Sequence, residues 1–97
     1  MTITQIEEAN RRAGFNFFES ETMRFFKCRI HQRVYSHGFF VSSEKGPDDI
    51  RRYTIRRANQ NGSIETIGGF QHFSESATAH HVAKCLAAKF TFSITTL

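Results

Sequence analysis

The chain has 97 residues, a net charge of +4, two cysteines, eleven phenylalanines and a hydrophobic fraction of 39%. That length allows one domain at most, with a thin core. The aromatic content argues against disorder, and no apolar run is long enough to cross a membrane. The opening residues Met1-Thr2-Ile3-Thr4-Gln5 lack the basic and apolar regions of a signal peptide, so a cytoplasmic setting is expected. Cys28 and Cys85 are read as free thiols of a reducing compartment, with a single disulfide as the alternative.

Charge is unevenly placed. Residues 1–21 carry Arg11 and Arg12 against Glu7, Glu8, Glu19 and Glu21, a net −2. Residues 22–58 carry Arg24, Lys27, Arg29, Arg33, Lys45, Arg51, Arg52, Arg56 and Arg57 against Glu44, Asp48 and Asp49, a net +6. The remainder balances Lys84 and Lys89 against Glu65 and Glu75. The positive field therefore comes from one stretch, which bears on partners rather than on fold.

The first element reads as a helix within residues 1–14. Ile3, Ile6, Ala9 and Ala13 form its stripe, and either Thr4 or Thr2 caps it. Gly14 is its expected stop. Phe15, Phe17 and Phe18 come next, in a linker that can cover one end of a sheet.

Residues 22–70 read as an antiparallel meander. From Met23 the period is two: Phe26, Cys28, Ile30 and Val34 face one way, and Phe25, Lys27, Arg29, His31, Arg33 and Tyr35 the other. Ser36-His37-Gly38 turns the chain into Phe39-Phe40-Val41-Ser42, and Gly46-Pro47-Asp48 marks a loop. Arg52 to Ala58 forms a third strand, Asn61-Gly62 a hairpin turn, and Ser63 to Ile67 a fourth strand.

Residues 74–90 read as a helix, capped by Ser74 or Ser76, with Ala79, Val82, Ala83, Leu86 and Phe90 on its buried stripe. The tail, 91–97, alternates as a fifth strand would. Phe92 and Ile94 would then pair within the molecule or join a second subunit in a dimer. The expected class is α+β: a four-stranded, or with the tail five-stranded, antiparallel meander, with a short N-terminal helix and the C-terminal helix packed on one face.

The segments Ile6-Glu7-Glu8-Ala9-Asn10-Arg11-Arg12-Ala13-Gly14, Phe17-Phe18, Thr22-Met23-Arg24-Phe25-Phe26, Phe40-Val41-Ser42-Ser43-Glu44, Arg52-Tyr53-Thr54-Ile55-Arg56 and Gly62-Ser63-Ile64-Glu65-Thr66-Ile67-Gly68, with Tyr35, resemble a family of small proteins of tailed bacteriophages and prophages. The resemblance spans about residues 5–88. It implies a bacterial host cytoplasm and an accessory role. Such a protein would bind and inhibit a host protein or protein–nucleic acid complex, of the kind met in CRISPR or restriction defence. The family brings no catalytic residues.

The sharpest constellation is basic. Phe25, Lys27, Arg29, His31, Arg33 and Tyr35, joined by Arg52 and Arg56 of the third strand, would share the sheet face that the C-terminal helix leaves bare. Such a face suits an acidic protein surface, or nucleic acid held by charge and stacking. The alternative is a solvated face with its arginines paired to Glu44, Asp48 and Glu65. Metal binding is not expected: Cys28 and His31 fall on opposite faces of a strand, and His81 with Cys85 shares a helix face but lacks further ligands. No nucleophile elbow, phosphate-binding loop or zinc-hydrolase motif is present, so neither an enzyme nor a cofactor is expected.

Overall fold

The computed structural model describes residues 1–95, with side chains to Phe90. Helix α1 spans Ile3–Arg12. Its cap is Thr2: the hydroxyl accepts from the Gln5 amide at 3.2 Å, and the Gln5 side chain accepts from the Thr2 amide at 2.9 Å. This is the reciprocal cap in the earlier of the two possible frames. A second helix, α2, covers Ser20–Phe25. The sheet comprises β1 (Arg29–Ile30), β2 (Phe39–Lys45), β3 (Arg51–Ala58) and β4 (Ile64–Ile67), and α3 closes the chain over Ser76–Thr95. The four strands lie in sequence order and every neighbouring pair is antiparallel. The fold is α+β, a meander between helices.

Two expected strands become helix. Residues 20–25 form α2 where alternation from Met23 predicts sheet, so the first strand shrinks to two residues. Lys27, at φ 48°, breaks any extended run at that point. The tail continues α3 as far as Thr95 rather than adding a strand. No glycine or proline interrupts the chain between Ala87 and Thr95, so helix propagation prevails over the alternating pattern. The side chains of Phe92 and Ile94, and the dimer contact expected of them, lie outside the described residues.

Both faces of the sheet are covered. On one, Phe39, Val41 and Ile55 pack against Ala79, Ala83 and Ala87 of α3, with Tyr53, Ile67, Val82, Leu86 and Phe90 at the margin. Three alanines let the helix approach the sheet closely. On the other, Phe40 packs under Ile3 and Ile6 of α1 and under Phe18, with Phe17, Met23 and Ile30 alongside. The phenylalanine-rich linker is thus part of a second core, and no sheet face is left bare.

Asn10 fastens α1 to the sheet. It is fully buried; its Nδ2 donates to the Gly62 carbonyl at 2.8 Å and its Oδ1 accepts from the Phe17 amide at 3.2 Å. Gly62 sits at φ +92°, and a Cβ there would lie 2.7 Å from the Ala9 carbonyl oxygen. The Asn61-Gly62 turn therefore needs glycine for its own conformation and for the approach of α1. Replacing Asn10 by Ala strands the buried Gly62 carbonyl and the half-buried Phe17 amide. The expected loss is about 2 kcal/mol or more, read from the urea unfolding midpoint.

Candidate functional site

Sheet parity decides where each basic residue goes. Arg29 pairs with Ser43, and Ser43 pairs with Tyr53, so Arg29 lies on the Tyr53 side with Arg51. Arg52 and Arg56 alternate with Tyr53 and Ile55, so they point to the α1 side. The expected joint patch of Arg29, Arg52 and Arg56 is therefore split between two faces.

Arg56 is interior. It is 9% exposed and its Nη2 meets Glu44 Oε2 at 3.3 Å. Its Nε donates to Ser42 Oγ at 3.0 Å and its Nη1 donates to Thr66 Oγ1. Phe17 and Phe70 place their rings 5.1 and 5.5 Å from the guanidinium carbon. Glu44, itself 1% exposed, also accepts from Ser42 Oγ at 2.6 Å, Thr54 Oγ1 at 2.7 Å and the Cys28 thiol at 3.6 Å. Gln71 closes the set, its amide donating to Thr54 and its side chain to the Glu44 carbonyl. Among the described residues no buried side-chain polar atom lacks a partner. Burial, and secondarily the Glu44 carboxylate, push the Cys28 thiol up to about 12. It stays protonated at neutral pH, so it serves as a donor and not as a nucleophile. A cavity of about 370 Å³ opens onto this cluster, walled by Phe17, Met23, Phe26 and Phe70.

The remaining predicted residues separate further. Arg52 binds Asp48 at 2.8 Å. Of the acids expected to pair with arginines, Glu44 and Asp48 do so, and Glu65 joins no ion pair among the described residues. Phe25 is 79% exposed and packs edge-on to Phe26. Lys27 and Arg29 do share a surface. With Arg24 of α2, Lys45 and Arg51 they line a concavity of about 670 Å³. Asp49 meets Lys27 at 3.2 Å and Lys45 at 3.8 Å. Arg24 and Arg29 have no ion-pair partner among the described residues. Arg51 is held by Ser43, donating to its hydroxyl at 2.8 Å. The concavity shares Met23 and Cys28 with the aromatic-walled cavity, so the two openings adjoin.

His31 and Tyr35 turn toward α3. His31 Nδ1 lies 2.8 Å from His80 Nε2, and Tyr35 Oη lies 2.8 Å from His80 Nδ1. Arg33 stands over the Tyr35 ring, 5.2 Å from its centre. His80 is half-buried within this chain of bonds. Both imidazoles are held below the ordinary histidine range, His31 by burial and then by His80, and His80 by burial and then by Arg33. Cys28 and Cys85 are both free thiols. Among the described residues no group of three His, Cys, Asp or Glu side chains is placed to hold a metal, and no helix is long and apolar enough to cross a membrane.

Sequence reading names Glu44 as an arginine partner, but on a solvated face and not a buried one, and it misses Arg24, Lys45 and Arg51 as members of a surface site. The available signal is the phenylalanine-rich linker: a second apolar layer has to cover the face that Arg52 and Arg56 share.

These bonds have two measurable consequences. Arg56→Met leaves Glu44 buried without its cation and costs about 3–5 kcal/mol, whereas adding Glu44→Leu recovers part of the loss; urea denaturation of the single and double variants measures both. Folding favours neutral His31 and His80. Below the ordinary value of 6.5, the unfolded chain therefore binds protons that the folded chain refuses. Stability falls as pH drops below about 6.5 and levels off once the folded pair titrates. Asp48 and Asp49 act in a separate window, since their pKa values are lowered from 3.8 by Arg52 and Lys27 respectively. Unfolding midpoints measured between about pH 7 and pH 5 should flatten in a His31→Gln, His80→Gln variant.

Neither the curated proteins nor the solved structures give a match to this chain. A family model matches residues 2–84, which takes in α1, the whole sheet and the start of α3. By that match the chain belongs to DUF7447, a family of unknown function.

Proposed function

We propose that this protein is a non-enzymatic binding protein that docks an acidic surface of a host macromolecule into the concavity formed by Arg24, Lys27, Arg29, Lys45 and Arg51. The observation that carries the reading is the charge balance of that surface. Five cations line it, and among the described residues Asp49 forms ion pairs with Lys27 and Lys45. Exposed pairs such as these contribute little and exchange readily for a partner's carboxylates. The resemblance to bacteriophage and prophage proteins supports a phage accessory protein working in the bacterial cytoplasm, where inhibiting a nucleic-acid-handling defence complex is a recurrent task. The protonated Cys28 and the fully satisfied Glu44 cluster support a binding role over catalysis.

A second reading, direct nucleic-acid binding, has its own observation. Phe25, Phe26 and Phe70 are 79%, 37% and 45% exposed, and Phe26 and Phe70 wall the cavity that adjoins the basic concavity. Phosphates on the cations and bases on the rings would use both.

Fluorescence anisotropy with duplex and single-stranded DNA at about 50 and 200 mM salt separates the readings. Five phosphate contacts predict an affinity loss of about 10²- to 10³-fold across that range. Absence of binding at the lower salt removes the nucleic-acid reading. For the first reading, a complex captured from a bacterial host lysate is expected to be lost in the Arg24→Glu, Arg29→Glu variant. A complex indifferent to both reversals overturns it. Arg56 is unsuited to such a test, because reversing a buried charge unfolds the sheet before it informs on the surface.

A further inference from the structure

A second cationic surface shares no lining residue with the first. Helix α3 presents Ala77, His80, His81 and Lys84 at spacings of three, four and seven, which is one helical face. The segment between β1 and β2 brings Arg33 and Tyr35 against it. Together they enclose an open concavity of about 540 Å³. Among the described residues its lining holds two permanent cations, two imidazoles and a phenol, and no carboxylate. Neither Arg33 nor Lys84 has an ion-pair partner among the described residues.

Three of the five groups, Arg33, Tyr35 and His80, are braced. The Tyr35 ring lies under the Arg33 guanidinium, the Tyr35 hydroxyl is fixed to His80 Nδ1, and His80 Nε2 is fixed to His31 Nδ1. Held side chains lose less entropy when a ligand arrives. The groups also suit one shape of anion. A tetrahedral dianion offers three acceptor oxygens and two charges, which a carboxylate does not, and the concavity leaves room for a small organic substituent beside it.

We propose that Arg33, Tyr35, His80, His81 and Lys84 form a binding site for a small phosphate dianion, either inorganic phosphate or a phosphomonoester.

The histidine chain gives this site a proton linkage. In the neutral state His80 has one N–H. If that hydrogen is on Nε2, it is donated to His31, and the Tyr35 hydroxyl donates inward to Nδ1. Protonating His80 puts a hydrogen on both nitrogens, so Nδ1–H donates to Tyr35 Oη and the phenolic hydrogen is released toward the concavity. A bound dianion therefore favours the imidazolium, and the proton it draws in supplies one more donor. The groups around His80 are Arg33 and Tyr35 from the β1–β2 segment, His81 and Lys84 on α3, and His31 at the end of β1, which in turn feels Arg51 and Glu44. All but Glu44 are cationic or neutral at pH 7, so an anion meets no opposing carboxylate in the described lining.

The test is titration of the full chain at pH 7, monitored by the imidazole nitrogen and carbon resonances of His80 and His81. The ligands are inorganic phosphate, phenyl phosphate and, as a monoanion, dimethyl phosphate. Saturable shifts are expected for the first two, with His80 moving toward its imidazolium values. Arg33→Gln and Lys84→Gln are each expected to weaken binding about tenfold or more, while Arg12→Gln on α1 leaves it unchanged. Circular dichroism confirms that each variant is folded. Tighter binding of phenyl phosphate than of phosphate assigns the site to an ester, and the reverse order to the free ion; both uphold the dianion site. Shifts that rise linearly without saturation, equal binding of dimethyl phosphate, or an Arg33→Gln, Lys84→Gln double variant that binds as the parent does would overturn it.

Discussion

Removing a guanidinium and a carboxylate from water is costly, and this small domain does so at the centre of its sheet. The Glu44–Arg56 pair persists because every hydrogen-bonding partner it needs is delivered by strand register. Ser42 and Thr54 are cross-strand neighbours, Glu44 lies two residues after Ser42, and Thr66 stands opposite Arg56. All lie on one sheet face, so the pair is solvated by hydroxyls in place of water. Phe17 and Phe70 then close over the guanidinium. A one-residue slip of β2 against β3 would turn Ser42 and Glu44 to the α3 side and Val41 to the α1 side, parting Glu44 from Thr54 and Arg56. The polar cluster thus penalises wrong registers as well as holding the right one.

The same parity sorts the rest of the charge. On the α1 side the arginines are neutralised internally: Arg56 by Glu44 and Arg52 by Asp48. On the α3 side Arg51 is held by Ser43, and Arg57 lies 4.4 Å from the centre of the Phe90 ring. Among the described residues Arg24 on α2, Arg29 on the two-residue β1 and Arg33 beyond it join no ion pair. Cations without an acid therefore gather at the β1 edge and the segments flanking it, with Lys84 of α3 beside Arg33, where side chains reach water and a partner can reach them.

Much of this is legible in the sequence. The α1 stripe, the Asn61-Gly62 turn, the meander order and the α3 stripe come from periodicity and turn chemistry, which are local. Alternation also assigns Cys28 and Ile30 to one side and Arg29 and His31 to the other. What escapes is tertiary. Alternation rightly puts Arg52 and Arg56 on a common face, but whether that face meets water depends on α1 and the Phe17-Phe18 linker folding back over it. Residues 20–25 carry aromatic neighbours that favour strand, and only the backbone reversal at Lys27 shows why the strand cannot begin there. His80 looks peripheral on a helical wheel because the wheel omits the segment carrying His31 and Tyr35.

The two proposed surfaces differ in kind for a physical reason. At the Arg24–Arg51 concavity the cations sit on separate elements and exchange one exposed acid between them, so the surface adapts to an extended partner and answers mainly to its charge. Around His80 the Tyr35 hydroxyl and the His80 and His31 imidazoles form one chain of hydrogen bonds inside the molecule. Charge arriving there is felt at the junction of the sheet edge with α3. Because the imidazoles resist protonation when that junction is closed, an anion that favours His80 protonation also favours the closed junction at lower pH. Binding and stability are thereby coupled through a single proton, while the Glu44 cluster on the opposite face stays fixed and keeps the strands in register.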